Sequence, residues 1–108
     1  MNPDPDLKEG VQYVVAERLL LAKMRSGEIR QIRMQIGLPM PLDKQWEAEI
    51  ALVGLYPHVV KVPGVDSFQC INLSFGVIRT ALENFVDAGG LLYWRDGSGP
   101  LGLVDLFS

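Results

Sequence analysis

The segment that opens at "GVDSFQC", residues 64–70, constrains this chain more than any other. Beyond its glycine, Phe68, Ile71, Phe75, Ile78, Leu82 and Phe85 recur at spacings of three and four, one apolar stripe on a helix. A helix of about 22 residues runs roughly 33 Å, enough to cross a small domain. The residues before the stripe read as its start. Asp66 is the N-cap, and Gln69 falls at N3, where its side chain can return to the cap amide in an Asp/Gln form of the capping box. Val65 and Cys70 take the two positions of a hydrophobic staple, and Ala88, Gly89 and Gly90 supply a left-handed stop. A second stripe of mostly small residues, Ser67, Cys70, Ser74, Val77, Ala81 and Ala88, lets another backbone approach closely. Asn72, Gly76, Arg79 and Glu83 complete the circle on the water side.

Such a helix needs a partner layer, and the residues before it read as strands. "VQYVVAERLLLAKM" (11–24) begins with strand formers and ends with helix formers. "RSGE" (25–28) has hairpin-turn composition, and beyond it Ile32, Met34 and Ile36 alternate with Arg33 and Gln35. A hairpin needs two arms, so 11–24 is predicted to be a strand, bulged because it exceeds the usual length. The prolines of "LPMPLDK" (38–44) predict a connection. Trp46, Ala48, Ile50 and Leu52 then alternate with Glu47, Glu49 and Ala51, the clearest strand in the chain. "VVKV" is a short fourth strand ended by Pro63 and Gly64. "LLYW" (91–94) is a last short strand, and "LGLVDLF" an apolar tail. The predicted fold is α+β: a four-stranded antiparallel meander, one long helix on one face, and a short C-terminal strand or tail. Residues 1–10, with "NPDPD", read as a flexible leader, and 11–108 as a single domain.

Composition excludes several function classes. Hydrophobic residues make up 48% and charged residues 21%, which predicts a packed core. The net charge is −3 and basic residues are scattered, so no nucleic-acid surface is expected. One cysteine forms no internal disulfide. The opening residues are acidic where a signal peptide is basic, and no apolar run approaches the roughly 20 residues of a membrane span. A cytoplasmic protein with no membrane contact is the expectation.

The reactive residue types have structural readings. Cys70 in the first turn of a helix could be an activated thiol with His58 as base, but the fourth strand separates them by up to about 26 Å at 3.3 Å per residue. Cys70 is therefore read as a small buried hydrophobe and His58 as a turn residue. Asp66, Ser67 and Gln69 at the helix start are the ligand candidates, since N-terminal amides favour anions, although capping explains them too. "GSGPLG" (97–102) matches G-x-G-x-x-G but is followed by no room for the helix the fingerprint needs. One Cys and one His leave an ordinary zinc site short of ligands, so neither metal nor cofactor is expected. Glu47 and Glu49 are assigned to a cross-strand charge lattice with Arg30 and Arg33, and Trp46 and Trp94 to the core.

The stretches "AERLLL", "IRMQIGLP", "QWEAEIALVGL", "GVDSFQCINLSFGVI" and "LLYWRDGSGPLG" together resemble a family of small uncharacterised bacterial proteins, classed only as a domain of unknown function. Gly64, Val65, Asp66, Ser67 and Gln69 carry the most specific part of that resemblance, a G-V-D-S-x-Q helix start. Cys70 and Ile71 depart mildly from the small or leucine residues expected there. The resemblance implies a strand over 11–24 and no particular activity.

What remains is apolar surface. The first strand is apolar on both faces, and the tail adds Leu101, Leu103, Leu106 and Phe107. Either the tail covers its own chain or a second molecule does, and these four residues are the interface candidates. The functional expectation is a non-enzymatic protein-interaction domain forming a homodimer. The alternatives are a small-ligand-binding or hydrolytic protein using the helix start near Ser67, or an immunity-type or regulatory partner of another bacterial protein.

Overall fold

The computed structural model describes residues 10–107, so positions 1–9 of the expected leader lie outside the described residues. In chain order come β1 Val14–Lys23, β2 Ile29–Gly37, β3 Met40–Pro41, β4 Trp46–Val53, β5 Val60–Gly64, α1 Ser67–Asp87, β6 Leu91–Trp94 and α2 Leu103–Leu106. The architecture is α+β, an antiparallel sheet under one long helix. Among the described residues the sheet has six strands, more than the four-stranded meander with a short last strand that the alternation suggested. β1, β2, β4 and β5 form the meander. β3 is a two-residue piece between the prolines, with Met40 opposite Glu47 and Pro41 opposite Trp46. β6 returns to pair with β1 along residues 20–23, giving the order β3-β4-β2-β1-β6 with β5 also on β4.

Local details follow from residue chemistry. The register of β1 on β2 steps from Val14↔Gly37 to Ala16↔Ile36, which leaves Val15 as the extra residue of the expected bulge. Pro63 does not end its strand; it sits inside β5 opposite Glu47. An edge strand tolerates proline because the missing N–H has no ladder to serve. At the far end of α1, Gly89 takes φ +103°, and the N–H groups of Gly89 and Gly90 close on the carbonyls of Val86 and Phe85 at 3.0 Å. That is the expected left-handed stop.

The core lies between the even-numbered face of the sheet and α1. Leu20, Ala22, Ile32, Ile36, Ile50, Leu52, Val62 and Leu92 meet Ile78 and Leu82, and Leu101 and Leu106 of the tail join them. The helix lies on part of its large stripe: Ile78 and Leu82 are in the core, and Ile71 and Phe85 pack partly buried against it. Its buried residues are Cys70, Ser74, Ile78 and Leu82, while Phe68 is 81% exposed and Phe75 46%. The axis of burial falls between the two stripes because the small residues let α1 settle close onto β4 and β5. A methyl group on Gly64 would stand 2.9 Å from the Cys70 Sγ. This roll leaves Phe68 and Phe75 at the flank, while Phe85 packs partly buried against the core.

Candidate functional site

The helix start is the first place where sequence chemistry concentrates. Asp66 Oδ1 accepts the Gln69 N–H at 2.7 Å, the expected N-cap bond. Gln69 Oε1 accepts the Val65 N–H at 2.7 Å, one residue before the cap amide that a capping box would engage. The staple does not form, because Val65 is 75% exposed while Cys70 is buried beneath Gly64. Ser67 is exposed at the first helical position. Asp66, Ser67 and Gln69 are therefore together, with Asp66 and Gln69 engaged in fixing the turn.

The thiol is placed against nucleophilic chemistry. Cys70 is fully buried, and burial, followed by the negative charges of Asp66 and Glu47, pushes its pKa up. A nucleophile needs the opposite shift. The neighbouring Ser74 Oγ donates to the Cys70 carbonyl at 2.6 Å, which satisfies the one buried hydroxyl of this face. His58 is exposed in the turn before β5. Among the described residues no group of three His, Cys, Asp or Glu side chains gathers as metal ligands do. The "GSGPLG" stretch leads into the single turn α2, and the Gly102 N–H that opens it bonds the turn's own Asp105 at 3.2 Å.

The charge lattice is built from other partners than the strand alternation suggested. Register sets Glu49 opposite Lys61 and Glu47 opposite Pro63 on β5, while on the β2 side Arg33 stands opposite Val53 and Arg30 lies beyond the paired residues, so neither glutamate faces an arginine of β2. Arg33 instead stands 3.8 Å from Glu17, and Arg30 pairs with Glu28 at 2.9 Å. Glu17 also accepts from Gln35 Nε2 at 2.6 Å, while Gln35 Oε1 takes the Val11 N–H at 3.0 Å. This chain of contacts pins residues 10–13 over the sheet face away from α1.

The four tail residues expected at an interface pack on their own chain. Leu101 and Leu106 are buried, and Leu103 and Phe107 are half-buried against the same core. The tail is intramolecular cover. Between it, α1 and the β1–β2 pair lies a half-open apolar cavity of about 170 Å³ that the sequence did not announce. Its walls include Met34, Ile36, Phe75, Ile78, Leu106 and Phe107, with Arg18 among the polar residues. The Arg18 guanidinium lies 5.7 Å from the Trp94 ring centre, and Arg79 lies 5.8 Å from that of Phe107. Two strands, a helix and a tail build this cavity, so no local pattern marks it. Its volume suits one small apolar group, given that an apolar cavity of about 150 Å³ holds benzene.

No helix of the described residues is long and apolar enough to cross a membrane. Comparison of the chain with protein-family models, with curated proteins and with solved structures finds no match.

Proposed function

We propose that this domain works by binding protein, without chemistry of its own, and that its first partner is a second copy of itself. The observation that carries this reading is the apolar surface that persists after the tail has folded back. Phe68, Val104, Ile29, Tyr13 and Val15 are all more than half exposed. Leaving such surface in water forfeits roughly 25 cal/mol per Å², and a contact of about 800 Å² per partner recovers the part that lies on one side of the molecule. A two-fold pair is the commonest way to do so. Sedimentation or light scattering at micromolar concentration tests it, with a particle of two chains expected and a single chain counting against it.

The cavity beside Phe75 and Leu106 supports a second reading, a small apolar ligand held under the tail. Thermal shift with small hydrocarbons and with carboxylates of the same apolar body tests that reading. A melting temperature that responds to neither rejects it.

A further inference from the structure

The cavity under the tail has a graded lining. Ile36, Ile78 and Leu106 are buried and form its floor, while Ala16, Arg18 and Phe75 are exposed and form its rim. Arg18 breaks the pattern of its strand. Side chains alternate along β1, and Leu20 and Ala22, on the same face as Arg18, are fully buried in the core. Register agrees, since Arg18 stands opposite Met34 and Ala16 opposite Ile36, two further walls of the cavity. Arg18 has no carboxylate partner among the described residues, whose arginine ion pairs are Arg30–Glu28, Arg33–Glu17 and Arg79–Glu83. The acids adjoining Arg18 and Leu106 in the chain are engaged elsewhere. Glu17 points to the opposite face of the sheet, where Gln35 Nε2 donates to it at 2.6 Å and Arg33 stands at 3.8 Å. Asp105 accepts the Gly102 N–H at 3.2 Å.

Trp94 steadies the guanidinium, its ring centre 5.7 Å from the Arg18 Cζ. Stacking uses the face of the group and leaves the N–H fork at its edge to donate. Arg79, 5.8 Å from the Phe107 ring centre, is matched by Glu83 at 3.1 Å. The rim therefore carries one unmatched positive charge above an apolar floor. We propose that the cavity takes the apolar body of a free monocarboxylate, with the fork of Arg18 binding the carboxylate at the rim. This rests on the ligand reading given above and names the class of ligand. A volume of about 170 Å³ accepts one ring or a short branched chain. One guanidinium matches one carboxylate, whose two oxygens accept two parallel N–H groups. A phosphate dianion would bring a second charge with no partner.

The test is a nuclear magnetic resonance titration of the full chain and of Arg18→Met with phenylacetate, the isosteric neutral phenylacetamide, and toluene. Methyl shifts of Ile36, Ile78 and Leu106 report occupancy of the floor. Methionine keeps an unbranched apolar side chain and removes the charge. Phenylacetate is expected to bind about tenfold tighter than phenylacetamide, as a charge-assisted pair at a half-open site implies. Arg18→Met should abolish this difference and leave toluene binding unchanged, and Arg18→Lys should keep only part of it, because an ammonium lacks the fork. Equal affinity for acid and amide, or an advantage that survives Arg18→Met, overturns the carboxylate assignment, and toluene binding at the floor would then leave the apolar ligand site standing. Failure of all three probes to shift the floor methyls overturns both. The comparison of acid with amide is made on the unmodified chain, so it decides the matter whether or not a variant folds.

Discussion

The Leu101 N–H donates to the Leu92 carbonyl at 2.8 Å, and this bond turns the chain after β6 back along its own sheet. It delivers Leu101 and Leu106 into the core between the strands and α1.

The tail therefore belongs to the fold. Leu106→Ala should lower unfolding free energy by roughly 2–3 kcal/mol, the lower part of the range for a core leucine because α2 lies at the edge of the core. Removing residues 101–108 should cost more than that single change. Urea unfolding of the three proteins measures it, and a truncated chain of unaltered midpoint would show that the tail adds nothing.

Asp66→Ala should cost about 1 kcal/mol through the lost bond to the Gln69 amide, with the spectrum of the folded protein unchanged. Asp66→Asn should retain most of that stability. If instead Asp66→Ala keeps full stability and abolishes a ligand interaction, the helix start is a binding site and capping is incidental.

Cys70 should react slowly with thiol reagents at neutral pH, at a rate set by unfolding, because it is buried and its pKa is raised. The sign follows from the folded thiol holding its proton more tightly than the unfolded one. Its contribution is complete below the ordinary thiol range near about 8.5 and is lost as the pH rises through the folded value. Unfolding midpoints of the native chain and Cys70→Ala from neutral to alkaline pH should diverge less as pH rises. Rapid labelling of the native protein would reverse the assignment.

Two glycines should respond with opposite signs. At Gly64 a methyl group meets the Cys70 backbone nitrogen and Sγ at 2.9 Å, so Gly64→Ala should destabilise by about 1–3 kcal/mol. At Gly76, inside α1, nothing lies within 4 Å of such a group, so Gly76→Ala should stabilise by about 0.5–1 kcal/mol. Thermal melts of both variants check the pair. Equal shifts would mean that α1 does not press on β5 at Gly64.

These residues also mark what the sequence can disclose. Asp66 and Gln69 are three apart, and the chemistry of a helix start acts over that range, so the cap was legible. The alternation of Trp46 to Leu52 and the turn at 25–28 were legible for the same local reason. The roll of α1 was not. Whether Phe68 or Cys70 faces the sheet is decided by Gly64 and by the spacing to β4, which lie in other segments. β6 was visible as a strand, but its place beside β1 depends on α1 crossing the sheet first. The cavity under the tail needs four separate elements, and the ligand candidates Asp66, Ser67 and Gln69 lie elsewhere.

The proposed self-association requires that apolar surface on the folded chain meet a second copy. Light scattering coupled to size exclusion, on the full chain at micromolar concentration and moderate salt, tests it most directly. A particle of twice the chain mass that dissociates on dilution is expected. A particle of one chain mass at every concentration reached would contradict it.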